Sequence, residues 1–172
     1  MPPDYRFVRV ARTDYPMIRR WLDQPHIGGW WGDADTEIAL IEEDIDVGPT
    51  DMRIVCLDDT PFAFVQDYPA HHWPAPHYAG YPDGTRAIDT FLGEPEFLGK
   101  GHAAAYLRQR ATELMDAGAT AIVIDPDPKN ARAAAAYRKA GFIDRGLKDA
   151  GDGAQARVME FQRDSRATES TT

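Results

Sequence analysis

Between Leu98 and Ala104 the chain reads Leu-Gly-Lys-Gly-His-Ala-Ala, where a β-leaning apolar run gives way to a long alanine-rich stretch. Two glycines at such a junction favour a sharp turn, so the segment ties one strand and one helix into an α/β unit. The N–H groups that open the helix lack intrahelical partners and, reinforced by the helix dipole, can cradle a diphosphate. A Gly-x-Gly before a helix is also ordinary punctuation, so its meaning depends on the company it keeps.

Tyr5 to Val10 alternates as an opening strand, and Thr13 is placed to cap a helix reaching Gln24 with Met17, Ile18, Trp21 and Leu22 on its apolar face. Asp35 to Ile45 sets Ile38, Leu40, Ile41 and Ile45 at helical spacing among acidic residues. Met52 to Leu57 and Pro61 to Gln66 are apolar runs joined by Asp58-Asp59-Thr60, which predicts a hairpin. From Asp67 to Asp83 the chain is too rich in proline for regular structure, and a long loop carrying His71, His72, Trp73, His77, Tyr78 and Tyr81 is either functional or disordered. Strands are predicted over Arg86 to Leu92, Ala119 to Asp125, Phe142 to Leu147 and Ala156 to Phe161, the last two meeting at Gly151-Asp152-Gly153. Helices are predicted over Gly101 to Ala117 and Asn130 to Ala140, closed by Gly118 and Gly141.

A length of 172 residues with 43% hydrophobic content predicts a single domain over 1–163, followed by a disordered tail over 164–172. No long apolar run and no basic start leading into one is found, so the expectation is a cytoplasmic protein without a membrane partner. Lys and Arg number 19 against 28 Asp and Glu, a net charge of −9 that argues against nucleic acid and suits a small cationic partner, although solubility alone also accounts for it. Cys56 lies in an apolar strand and is given no chemistry. His71, His72 and His77 lack acidic or cysteine partners at ligand spacing, so no metal is expected.

A second constellation is Asn130-Ala-Arg-Ala133-Ala-Ala-Ala-Tyr137-Arg-Lys139-Ala-Gly141-Phe142, in which Asn130, Ala133 and Tyr137 share one helix face. Each alone reads as a cap or a packing residue. Their order along the chain is more informative: a strand with Asp89, the glycine turn, a helix, a strand with Asp125, then this helix.

With that order the chain resembles the GNAT superfamily of acyl-CoA-dependent N-acyltransferases, whose turn is written (Gln/Arg)xxGx(Gly/Ala) and whose later helix reads NxxAxxxYxKxGF. Here Leu98 stands where Gln or Arg is usual, while the second motif matches at every named position. Within the superfamily the chain looks like the aminoglycoside 6'-N-acetyltransferases. That likeness rests on Arg20-Trp-Leu-Asp-Gln-Pro-His26-Ile-Gly-Gly-Trp30-Trp31-Gly32, Phe64-Val-Gln66, Ala87-Ile88-Asp89 and Asp125-Pro126-Asp-Pro128-Lys-Asn130.

The resemblance implies an α/β fold of GNAT type (α+β), with a twisted, mostly antiparallel central sheet, a V-shaped splay and flanking helices. It implies acetyl-CoA as the cofactor, with Asp89 as the general base and Tyr137 as the acid that protonates the leaving sulfur. Cofactor contacts would come from Thr90, Phe91, Leu98, Gly99, Lys100, Gly101, His102, Ala103, Ala104, Asn130 and Tyr137. The acceptor, an aminoglycoside or similar small amine, would meet Trp30, Trp31, Asp33, Gln66, Asp125 and Asp152. One tryptophan of the pair would anchor the core and the other, Trp31, would face the cleft. Other acceptors stay open at this point: a lysine-derived amine in siderophore assembly, or a protein amine, which the long loop disfavours. A non-catalytic acyl-CoA binder is opposed by the joint presence of Asp89 and Tyr137. The protein is expected to be a monomer or homodimer.

Overall fold

One seven-stranded sheet organises the chain, in the order β1-β2-β3-β4-β5-β7-β6. Its strands are β1 (Tyr5–Arg9), β2 (Asp51–Leu57), β3 (Thr60–Pro69), β4 (Thr85–Leu92), β5 (Ala121–Ile124), β6 (Phe142–Gly151) and β7 (Ala154–Phe161). All neighbours are antiparallel except β4 and β5. The computed structural model describes residues 3–163, and the tail predicted over 164–172 lies outside them.

Helices α1 (Tyr15–Leu22) and α2 (Ala34–Asp44) follow β1, α3 (His102–Asp116) bridges β4 and β5, and α4 (Ala131–Ala140) precedes β6. Strand alternation divides the core between two faces of the sheet. Phe64 and Phe91 pair across β3 and β4 and pack with Ile18, Trp21 and Ile41 of the first two helices. Val65, Ile88 and Leu92 point the other way, against Tyr106, Leu107 and Ala134 of α3 and α4. The predicted fold class is therefore the observed one.

Between β4 and β5 the ladder holds only Thr85 with Ala121, Arg86 with Ile122 and Ala87 with Val123. Beyond Ala87, β4 runs on to Leu92 without a β5 partner, and this divergence opens the V of the sheet. Backbone groups along that edge are left available to a ligand.

Several boundaries differ from the sequence reading. Thr13 does not cap the first helix: a 3-10 turn covers Arg12–Asp14, Asp14 accepts the Ala11 N–H at 2.8 Å, and Pro16 occupies the first turn of α1, where its missing N–H does no harm. The loop predicted from Asp67 starts three residues later, because Asp67, 1% exposed, stays in β3 with Arg86 at 2.6 Å and Arg110 at 3.1 Å. The rest of that segment is anchored. It contains a 3-10 turn at Pro76–Tyr78 and buries Tyr78, while His71 bonds the Tyr81 carbonyl. The last hairpin is also longer than predicted, extending to Gly151 on one side and from Ala154 on the other.

Candidate active site

The divergence of β4 and β5 opens a cleft of about 910 Å³, bounded by β4 from Ile88 to Leu92 and by the starts of α3 and α4. Gly99 (φ 73°) and Gly101 (φ 83°) hold left-handed backbone at its rim, and a Cβ at either would meet open space. Glycine is required there for conformation, not for room. The first intrahelical bond of α3 runs from Ala105 N–H to the Gly101 carbonyl at 3.1 Å. The N–H groups of His102, Ala103 and Ala104 therefore lack helical acceptors at the cleft wall.

Of the expected cofactor contacts in this turn, Leu98, Gly99, Gly101, His102, Ala103 and Ala104 line the cleft, whereas Lys100 does not and stands exposed. His102 is tethered through Nδ1 to the Tyr5 hydroxyl at 2.8 Å. Burial, then the nearby Lys100 cation, hold its imidazole below the usual histidine range, which favours the neutral ring. Thr90 and Phe91 form part of the unpaired β4 edge, and the Thr90 hydroxyl is engaged by the Phe64 carbonyl at 2.7 Å and Tyr106 at 2.6 Å.

Asn130 caps α4, its Oδ1 accepting the Ala133 N–H at 3.1 Å, which leaves its amide nitrogen to donate to a cofactor. One helical face later, Tyr137 is buried against the same cleft. Burial pushes its phenol well above the usual tyrosine range, which keeps the proton on the oxygen.

A second cavity of about 300 Å³ lies under α1 and α2 on the opposite face of the sheet. Trp31, Asp89 and Phe91 belong to both cavities and so form the wall between them. Asp89 accepts the Gln66 side-chain amide at 3.0 Å. Its carboxyl is pushed up to about 7, chiefly by desolvation and then by the Asp125 charge, against the downward pull of bonds from Gln66 and Tyr68. A carboxylate held at that value can take a proton near neutral pH.

The smaller cavity is also lined by Glu37, Glu43 and Asp44 of α2, by Tyr68 and by Trp73. None of these was among the predicted site residues. The acidic helical run over Asp35 to Ile45 was the signal for the first three, and the aromatic loop was the signal for Trp73. Asp125 lines the larger cleft and accepts His77 Nε2 at 2.9 Å, a contact the sequence did not suggest.

Two acceptor assignments do not fall at either cavity. Asp33 caps α2, its two oxygens taken by the backbone N–H and the hydroxyl of Thr36, each at 2.9 Å. Asp152 sits exposed in the β6–β7 turn, with φ 51°. The tryptophan pair also divides differently from expectation. Trp31 packs edge-on to Phe91 at 4.9 Å and faces both cavities, and Trp30, 47% exposed, lines the larger cleft and is no core anchor, that place being taken by Trp21. Among the described residues, no group of three or more His, Cys, Asp or Glu side chains could hold a metal ion, and no helix is long and apolar enough to cross a membrane.

Residues 10–149 match the family model described as an acetyltransferase (GNAT) domain. The chain is 29% identical over 170 residues to an aminoglycoside N(6')-acetyltransferase type 1 of Klebsiella pneumoniae, covering 94% of this chain and 85% of the relative. A namesake from Serratia marcescens is 30% identical over 153 residues, covering 84% and 76%. Among solved structures, aminoglycoside acetyltransferase AAC(6')-Ib in complex with coenzyme A and kanamycin superposes with a TM-score of 0.78 at 28% identity, covering 98% of this chain and 99% of that one.

Proposed function

This chain belongs to the acetyltransferase (GNAT) domain family, and on that premise we propose that it transfers acetyl from acetyl-CoA directly to the 6'-amino group of an aminoglycoside. Relatives at 29% and 30% identity, aligned over most of the chain, are named for that reaction. The observation that carries the reading is Asp89, a carboxyl raised to about 7 in the wall shared by a long cleft and an acidic cavity.

The larger cleft fits the cofactor because its rim offers unpaired N–H groups at a helix start, and the left-handed glycines there turn the chain so that those groups open the helix at the cleft wall. Acetyl-CoA, when bound, supplies an activated acyl group and a thiolate leaving group. N–H groups of His102, Ala103 and Ala104 would hold the diphosphate, Asn130 the pantetheine arm, and the unpaired β4 edge at Thr90 and Phe91 the thioester carbonyl. An alkylammonium of pKa ~9 is only about 1% neutral at pH 7, so a base is needed. Asp89 takes that proton, steadied by Gln66 and Tyr68. Tyr137, kept protonated by burial, gives a proton to the departing sulfur.

On the acceptor side, Glu37, Glu43 and Asp44 make the smaller cavity anionic, which suits a polycation. Trp31 and Trp73 offer flat faces to sugar rings. Acetylation removes a positive charge from the antibiotic, and resistance would follow. Base, acid and cofactor cleft all lie within one chain, so each copy carries a complete site whether monomer or homodimer. Acetyl-CoA being an intracellular metabolite, the activity belongs in the cytoplasm.

The test is thiol release from acetyl-CoA with a panel of kanamycin-type sugars bearing a 6'-amine or a 6'-hydroxyl, a linear polyamine, and hydroxylysine. Turnover is expected with the 6'-amines and not with their 6'-hydroxyl counterparts. Indifference to that exchange would overturn the regiochemistry.

A further inference from the structure

The proline-rich loop brings one side chain to the site that the reaction above leaves without a role. Tyr78, 1% exposed, is sealed among Ala70, Ala87, Val123 and Val158 and fixes the 3-10 turn to the sheet. From the far side the β6–β7 hairpin closes on the turn, with Pro76 Cγ 3.8 Å from where a Cβ on Gly151 would stand. His77 therefore comes to the site on a clamped backbone.

Its Nε2 meets Asp125 Oδ2 at 2.9 Å. A carboxylate only accepts, so Nε2 carries the hydrogen. The ring packs on Tyr78 with centroids 4.2 Å apart, and Nδ1 is buried without a hydrogen-bond partner, as is the Tyr78 hydroxyl. That hydroxyl, Tyr68, Asp89 and Tyr137 are other titratable groups close to Asp125. His77 thus directs its one donated bond to a residue of the cleft wall, and among the described residues its ring has no other hydrogen-bond partner.

We propose that His77 is a positioning residue for the acceptor, holding Oδ2 of Asp125 so that the other carboxylate oxygen is presented to a second ammonium or hydroxyl group of a bound polycation. This rests on the acetyl-transfer reading and adds a specificity element to it. A carboxylate locked before binding does not have to be ordered by the acceptor. Asp89 and Asp125 both line the larger cleft, close enough for their charges to act on one another, so an acceptor whose reacting amine meets Asp89 can set a second amine on Asp125, whereas a simple monoamine reaches only the base. The geometry therefore favours polycations over monoamines.

The experiment compares His77→Ala and His77→Gln with the wild type, because a glutamine amide can occupy the place of Nε2. The acceptor is whichever polyamino member of the panel the wild type acetylates best, set against a monoamine. His77→Ala should raise KM for the polycation about tenfold, with little change for the monoamine or for acetyl-CoA, and His77→Gln should recover most of it. An equal rise for all three substrates, an alanine variant with wild-type KM, or a glutamine variant no better than alanine would overturn the proposal. If no aminoglycoside is turned over, the proposed acceptor falls while His77 is still judged with the polyamine. The imidazole ¹⁵N spectrum judges it without any acceptor: an Nε2–H tautomer whose Nε2 signal moves in Asp125→Asn is expected, and an unmoved signal would refute the contact.

Discussion

Gln66 and Asp89 are register partners across β3 and β4, and the amide nitrogen of Gln66 donates to Asp89 Oδ2 at 3.0 Å. The bond favours the charged carboxylate while burial and Asp125 oppose it, and the balance stands at about 7. Acetyl transfer, measured as kcat/KM for the acceptor, should therefore rise with pH through about 7 as Asp89 loses its proton. Asp89→Asn should lose on the order of 10²-fold and flatten that limb. Gln66→Ala removes a group that favours ionisation, so it should move the limb to higher pH. A limb unmoved in either variant would assign the titration to another group.

The same shift bears on stability. Asp89 has an ordinary value of 3.8 and a folded value of about 7, so between them the native state holds the extra proton. Stability is then full below about 4 and declines as pH rises through about 7. Asp89→Asn escapes that decline. Each unit corresponds to about 1.4 kcal/mol, and partial opening to solvent reduces the sum, so a gain on the order of 2 kcal/mol is expected at pH 8. Thermal melts at pH 8 and pH 5 check it: the variant's advantage should shrink at the lower pH.

Tyr137 is expected to act in the departure of the thiolate. Its phenol, held well above the usual range by burial, stays protonated across the working pH. Tyr137→Phe keeps the ring packing on Phe142 and removes only the hydroxyl. Loss of about 10- to 100-fold in kcat is expected, with a much smaller change in coenzyme A affinity by calorimetry. Equal losses in both would make it a binding residue alone.

Asp67 holds the α3 side of the sheet together electrostatically. It is 1% exposed and receives Arg86 at 2.6 Å and Arg110 at 3.1 Å. Removing the carboxylate leaves Arg110, 9% exposed, with a buried charge lacking its main partner. Asp67→Leu should cost about 3–5 kcal/mol, which at roughly 2–4 °C per kcal/mol is a Tm drop of about 10 °C. Adding Arg110→Met should return part of it, and a double variant worse than the single one would refute the pairing.

Local sequence rules account for much of what is seen. The glycines at 99 and 101, the Asn130 cap and the Gly141 terminator are set by backbone constraints within a few residues. The two-residue period of a strand likewise puts Phe64 and Gln66 on one face of β3 and Asp89 and Phe91 on one face of β4, because that period is a property of the chain itself. Where Asp67 belonged was not legible, since proline content argued for a loop while two distant arginines kept the strand going.

What the chain alone determined was the order of its elements and the chemistry available at the glycine turn, the Ile-Asp pair and the Asn-to-Tyr helix. Tertiary structure decided which carboxylates share a wall. Asp33 and Asp125 look alike in sequence, yet one is consumed by its own helix start and the other meets His77 from 48 positions away. A carboxylate's role depends on desolvation and on the donors that reach it, and both are created only when remote segments close around it.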